Sequence, residues 1–276
     1  MTISALTNTP AMTALQNLST TNSDLDNVQN VISTGLAVSS AKDNASVYSI
    51  AQSQRSDLSS LQAVTESLNR ADSIASVASA AGANISDLLN QMRQKVVGAM
   101  DTSIDTTSRN ALNQDFRSIL QQVAQSVQNA TFNGTNLLDG SLTSNISFIA
   151  NADASASITL STRTMALGGP IITLPSTTTI DSASSASAVL TMLDASIANV
   201  NSSLGALGSQ QTQIEGHLSF VSKLEDAIQG GIGNLVDADM ATESSKLQAL
   251  QVQQQLGTQS LSIANQAPQQ ILSLFK

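Results

Sequence analysis

His217 is the one histidine of this 276-residue chain, and acid–base or nucleophilic chemistry would have to start from that imidazole. Its neighbour Leu218 belongs to a long apolar repeat, so the ring is expected on the flank of a helix, in solvent. With no second histidine and no cysteine, the chain cannot build a thiolate metal site, a disulfide or a Cys nucleophile. A serine nucleophile needs a base and a group that orients the base, which one helical histidine does not supply. Asp237, Asp239 and Glu243 have the oxygen chemistry of a cation site. They also stand at the start of a helical segment, where carboxylates cap free N–H groups and complement the helix dipole, and this reading needs fewer assumptions. Gly230, Gly231 and Gly233 make no phosphate loop, because no strand precedes them and no Gly-Lys-Ser/Thr follows. Asn84, Asn133 and Asn145 each open an Asn-x-Ser/Thr triplet, which a Ser/Thr-rich chain contains by chance. The expectation is a protein without catalytic, metal-binding or cofactor-binding residues.

Composition points away from several partners as well. Charged residues are 11% of the chain and the net charge is -9, with no Lys/Arg cluster to neutralise phosphates, so nucleic acid and anionic membrane surfaces are not expected partners. No run approaches the roughly 18 apolar residues of a membrane span. Met1 to Pro10 shows neither the basic region nor the apolar run of a secretory signal. Hydrophobic residues reach 41% but aromatics only 2%, with no Trp and Tyr48 as the single Tyr. Such small apolar side chains suit thin helical layers better than a thick core.

The elements that must position these residues are mostly helices. Ala11, Leu15, Leu18, Asn22, Leu25, Gln29 and Ile32 form a heptad stripe with Val28 alongside, and Gly35 interrupts it. Ser33 to Ser46 reads as a connector. A second helix is expected from about Val47 to Met100, with Leu58, Leu61, Leu68, Ala71, Ala75 and Ala78 on one face. A third is capped at Thr106, Thr107 or Ser108 and carries Leu112, Phe116, Ile119, Val123 and Val127. Asn133-Gly134 and Asp139-Gly140 are turn dipeptides. From Ser141 to Ile180 the period shifts towards two, which predicts short strands at Asn145–Ile149, Ser157–Ser161 and Ile171–Leu174. The strongest heptad signal runs from Leu190 through Leu193, Ile197, Val200, Leu207 and Ile214 to Ile228, and Gly230 to Gly233 is expected to end it. A last helix starts near Asp237 to Asp239 and carries Val252, Leu256 and Ile263 on a stripe.

The predicted fold class is mainly α: an antiparallel long-helix coiled-coil bundle made from both chain ends, with a small central β-hairpin region. A two-helix pair with Asn22, Gln29, Gln254 and Gln266 near its seam buries too little apolar surface to offset ordering costs of about 1 to 2 kcal/mol per residue. Such helices need neighbouring copies. An insert of this size is also small for a ligand pocket of about 300 Å³ or more, which disfavours an enzyme or sugar-binding module there.

Three segments carry a family resemblance. "ISTGLAVSSAKDNAS" (Ile32 to Ser46) resembles the N-terminal signature of bacterial flagellins at Ser33, Gly35, Leu36, Ser40, Ala41, Lys42 and Asp43. "DADMATESSKLQALQVQQQLGTQSLSIANQAPQQILSLFK" (Asp237 to Lys276) resembles their C-terminal block, and "FNGTNLLDG" (Phe132 to Gly140) their Phe-Asn-Gly turn. The resemblance covers roughly residues 1 to 140 and 185 to 276.

It implies a structural, non-enzymatic subunit that self-assembles into the extracellular flagellar filament for motility. The alternative is a hook-filament junction protein. The implied division is an inner terminal-helix domain of residues 1–45 and 236–276, a helical rod of 46–140 and 181–235, and a β insert of 141–180. The implied partners are copies of the same chain, hook-junction and cap proteins, an export chaperone and the type III export apparatus, with no cleaved signal peptide. The self-assembly residues are Leu15, Leu18, Leu25, Ile32, Gly35, Leu36, Lys42, Asp43, Leu256, Ile263, Asn265, Gln266, Pro268, Ile271 and Leu274. Pro268 removes a backbone donor and is expected to bend or restart the last helix. Val31 and Ala37 stand where many family members carry Arg. Leu89, Gln91, Arg93 and Gln94 overlie the segment recognised by the Toll-like receptor for flagellin, with amides at Gln91 and Gln94 where the family pattern has Arg and Glu.

Overall fold

Each helix begins where a short polar side chain can accept from its free N–H groups. The computed structural model describes residues 7–273, with side chains up to Gln266. Asn8 opens α1 (Thr9–Thr34), its Oδ1 accepting from the Ala11 N–H at 3.2 Å. Asn44 Oδ1 accepts from Val47 N–H at 3.2 Å at the head of α2 (Ala45–Ala99). Asp105 caps α3 (Thr106–Asn129), accepting from Ser108 N–H at 2.9 Å. The expected cap at Thr106, Thr107 or Ser108 is therefore corrected by one residue or more: the carboxylate just upstream is the stronger acceptor. Ser182 serves α4 (Ala183–Val236) and Asp239 serves α5 (Met240–Ser273). Between α3 and α4 lie two hairpins, β1 (Thr131–Phe132) with β2 (Thr135–Asn136), and β3 (Ile146–Ile149) with β4 (Ser157–Leu160).

The chain forms two compact units, residues 1–56 with 227–276, and residues 57–226. In the first, α1 and α5 run antiparallel. Asn8 Nδ2 donates to the Ala264 carbonyl at 2.8 Å, and Gln254 Nε2 donates to Asn22 Oδ1 at 2.7 Å. The covered face of α1 follows Ala11, Ala14, Leu18, Thr21, Leu25, Val28 and Ile32, and that of α5 follows Leu247, Leu250, Gln254, Gly257, Leu261 and Ala264. The expected stripe was right at Ala11, Leu18, Leu25 and Ile32 and wrong at Leu15 and Gln29, which are exposed; Asn22 is exposed as well but reaches Gln254 of α5 from the edge of the seam. On α5 the expected stripe residues Val252, Leu256 and Ile263 are exposed. The reason is close approach. A Cβ built on Gly257 would stand 3.1 Å from Leu18 Cδ1, so the glycine fixes which side of α5 faces α1, with Leu250, Leu261 and Ala264 on the covered side and Val252, Leu256 and Ile263 outside it. α5 continues helically through position 268 to Ser273, so the predicted restart there is not observed.

Two connectors close this unit. Gly35 takes a φ of 73°, the left-handed conformation that ends many helices, and its N–H bonds Val31 O. Ala37 N–H donates to Val236 O at 2.7 Å and Ala238 N–H to Gly35 O at 2.9 Å, an antiparallel bridge between Leu36 and Asp237. Beneath it Ala51, Ile232 and Val236 are buried, with Leu36, Val38, Val47 and Ile228 packed on them. This small core explains a second correction: α4 does not stop at Gly230 but passes through the glycines to Val236. Burying Ile232 and Val236 outweighs the helix penalty of about 1 kcal/mol per Gly.

In the second unit α2 and α4 are antiparallel, with Thr65 bonded to Glu225, Ser76 to Gln211, Ser86 to Asn201 and Arg93 to Asp194. The α4 heptad appears as Leu193, Val200, Leu207, Ile214 and Val221, each 0 or 1% exposed. Leu61, Leu68, Ala71, Ala75 and Ala78 of α2, and Phe116, Ile119, Val123 and Val127 of α3, are buried as well. The strands expected at 145–149 and 157–161 are present as β3 and β4. Ile171–Leu174 is not a strand: only the Leu167–Ile172 bridge forms, and Ile172 and Leu174 instead plug the core. The β1–β2 hairpin, read from sequence as a bare turn, has register Phe132↔Thr135 around Asn133 and Gly134.

Candidate functional site

The α1–α5 pair is the part of the chain least able to satisfy itself. Only Leu25 and Val28 are buried in α1, and the seam carries Thr21 and Gln254 among its few large aliphatics. Outside it Met12, Leu15, Val252, Leu256 and Ile263 are 55 to 62% exposed. The positions 252, 256 and 263 share one helical face, as do 12 and 15. Each of the two paired helices thus presents large apolar side chains to solvent on one of its faces. Of the residues expected to mediate assembly, Leu18 and Ile32 are half-buried, Leu25 is buried, and Leu15, Leu256, Ile263, Asn265 and Gln266 are exposed. The side chains of Pro268, Ile271 and Leu274 lie outside the described ones. Met12 was missed, although its i,i+3 spacing to Leu15 is the signal that would have found it.

The connector is organised by one carboxylate. Asp43 Oδ2 accepts from the N–H and the hydroxyl of both Ser39 and Ser40, at 2.9 to 3.1 Å. These bonds, led by the Ser39 hydroxyl and then the Ser40 amide, hold its carboxyl below the ordinary range. Gly35 and Leu36 supply the bridge to Asp237, while Lys42 is exposed. At the other connector, Asp239 accepts from the Thr242 hydroxyl at 2.7 Å and from Thr242 and Ala241 N–H, which lowers its pKa in the same way. Capping is thus the role of Asp239, and among the described residues no group of three or more acidic or histidine side chains could hold a metal ion.

His217 is not the freely solvated side chain expected from its place in the repeat. Its Nε2 lies 2.6 Å from the Ala150 carbonyl, an acceptor only, so Nε2 carries a proton and donates. The ring also packs on Phe220 with centroids 5.7 Å apart, and Phe220 itself is 57% exposed. Its observed role is to tie the end of β3 to α4. A groove of about 410 Å³ between α2 and α3 is lined by amides, among them Asn84, Gln122, Gln125 and Asn129, with Asn84 Nδ2 bonded to Ser126 Oγ at 2.9 Å. It is open and brings no acid and base together.

The segment expected from the resemblance to face a receptor is exposed at only some of its positions. Leu89 is 0% exposed, a core residue of α2 that cannot touch a receptor on the folded chain. Gln91, Arg93 and Gln94 are exposed, and Arg93 is engaged by Asp194 at 2.7 Å. α4 also turns a face of small residues outward: Ala195, Ala198, Ser202, Gly205, Ser209 and Thr212 are all exposed in unbroken heptad spacing.

Such a chain defines a class: a helical subunit whose two ends pair with each other, whose middle carries only small hairpins, and whose paired ends keep an aliphatic face open. Residues 5–143 match the family described as bacterial flagellin N-terminal helical region, and residues 190–275 match bacterial flagellin C-terminal helical region. The chain is 50% identical over 276 residues to flagellin FljJ of Caulobacter vibrioides, covering 100% of this chain and 99% of that one. Its fold is similar to the crystal structure of Bacillus cereus flagellin, with a TM-score of 0.50 and 21% identity, covering 56% of this chain and 88% of the other. It is also similar in fold to a Vibrio parahaemolyticus chain assigned to the flagellar hook-associated proteins, with a TM-score of 0.60 and 12% identity over 71% of this chain and 100% of that one. The protein belongs to the bacterial flagellins. It is a structural subunit of the extracellular flagellar filament, and among the described residues no helix is long and apolar enough to cross a membrane.

Proposed function

We propose that copies of this flagellin join through the α1–α5 pair, with the exposed face of Met12, Leu15, Val252, Leu256 and Ile263 seated on neighbouring subunits. The observation that carries this reading is that the pair leaves five large apolar side chains 55 to 62% exposed outside its own seam. Burying five such side chains in neighbours contributes about 1.5 to 3 kcal/mol each, repeated at every subunit. Motility then comes from the polymer's shape, without chemistry at a site. Residues 1–45 with 236–276 act as the inner domain, 46–140 with 181–235 as the rod and 141–180 as the insert; the connector bridge between Leu36 and Asp237 supports a boundary there. The resemblance to the family supports export through a type III apparatus without a cleaved signal peptide, with a chaperone, hook-junction and cap proteins as partners. The small outward face of α4 supports close lateral approach of a second rod. Limited proteolysis tests the reading: the terminal segments are cut rapidly in purified monomer and protected after seeded polymerisation, whereas equal protection in both states rejects it.

A further inference from the structure

The flagellin chain contains two turn dipeptides of the kind that rearrange chemically, and the structure treats them oppositely. At Asp139-Gly140 the carboxylate is held: Oδ1 accepts from Ser141 N–H at 2.9 Å and from Ser141 hydroxyl at 2.7 Å. A Cβ built on Gly140 would also stand 2.9 Å from Thr164 Cγ2, so that backbone is hemmed in. At Asn133-Gly134 neither restraint exists. Both residues are exposed, with φ of 48° and 77°, the left-handed pair of a two-residue hairpin loop. No atom approaches within 4 Å of a Cβ built on Gly134, and the Asn133 side chain makes no hydrogen bond among the described residues. Three other asparagines of the hairpin region are tied: Asn136 to Val127 and Leu138, Asn145 to Thr162, Asn151 to Ser155 and Ala156. Asn133 is also the one asparagine of the sequence followed by glycine.

We infer that Asn133 is a self-modification site, at which the chain converts its own amide to aspartate and isoaspartate. The Gly134 backbone nitrogen, having lost its proton to base, attacks Asn133 Cγ; the C–N bond to the side-chain amide breaks and ammonia leaves, giving a cyclic succinimide. Water then adds at either carbonyl of the ring and opens it to aspartate or isoaspartate, with no oxidant or reductant involved. Attack requires rotation at Asn133, and only the two pairs Phe132↔Thr135 and Thr131↔Asn136 resist it. So short a ladder opens readily. Isoaspartate adds one backbone carbon to a loop whose length sets the register, and either product adds a negative charge beside Phe132. The four bonds of Asn136 to Val127, Gln128, Leu138 and Asp139 confine the disturbance to the loop.

The test is peptide mapping by mass spectrometry of the folded full-length chain during incubation at neutral and mildly alkaline pH, with enzymatic isoaspartate methylation as a second readout. The expected result is that residue 133 is the first position modified, faster as pH rises, while Asp139 stays unmodified. Asn133→Gln loses the early product, and Gly134→Ala, which adds a Cβ at the attacking residue, does too. Because Gly134→Ala strains the turn, circular dichroism accompanies it, and Asn133→Gln decides if that variant fails to fold. The inference is overturned if Asn133 in the folded chain keeps its amide over a period in which the unfolded chain converts, or if another position is modified first.

Discussion

Gly82 of α2 lies so close to Leu204 of α4 that a Cβ on the glycine would stand 2.7 Å from Leu204 Cδ2. An added methyl would require the Leu204 side chain to shift, and Met165 Cε stands on another side at 3.7 Å. Gly82→Ala gains about 1 kcal/mol of helix propensity but incurs about 1 to 3 kcal/mol of overpacking. The expected net effect is destabilisation, read as a lower urea midpoint with unchanged slope. Gly205→Ala, on the outward face of the same α4 with nothing within 4 Å, raises the midpoint instead. If the two variants shift together, close approach is not what the glycine at 82 provides.

Leu15→Glu and Leu256→Glu are expected to leave the monomer's circular dichroism and unfolding midpoint within about 0.5 kcal/mol of the parent, because both side chains are over half exposed. Both variants should fail to elongate seeds in a sedimentation assay. Leu25→Ala, at a buried seam position, should loosen the α1–α5 pair itself, with faster amide exchange in both helices. Normal polymerisation of the two glutamate variants would disprove the assignment of the open face.

Acid should loosen the connectors locally. Asp43 and Asp239 have folded-state pKa values below the ordinary value, through the Ser39 and Thr242 hydroxyls first and neighbouring amides next. A depressed carboxylate contributes stability that is fully present above the unfolded pKa of about 3.9 and is lost as pH falls through the folded value. Amide exchange at residues 35–44 and 238–243, corrected for its intrinsic pH dependence, should therefore rise below about pH 4. Asp43→Asn, which does not titrate, should remove that step at 35–44 and keep it at 238–243.

His217→Ala should free the β3–β4 hairpin locally. The bond to Ala150 is worth about 1 kcal/mol, and the expected readout is faster amide exchange confined to residues 146–160. Exchange changing equally along α4 would mean that the ring supports the helix and not the hairpin.

Helix existence and order were readable in the amino-acid pattern because caps and heptads are local: Asp239 and the Leu193 to Val221 repeat announce themselves within a few residues. So was the family, through blocks at both ends. What pattern could not reach was the phase of a stripe between two thin helices. Reading by size placed Leu15, Val252, Leu256 and Ile263 on the seam; contact placed Ala14, Gly257 and Ala264 there, since nearness of two backbones is a property of the pair and not of either strand of sequence. The same holds for α4 passing through Gly230 to Gly233, where local propensity predicts a stop and burial of Ile232 and Val236 overrides it. It holds for His217, whose partner Ala150 is 67 residues away. Local chemistry settled which segments are helical and in what order; only the tertiary structure decided which face of each is covered, because that depends on the surface that arrives from elsewhere in the chain.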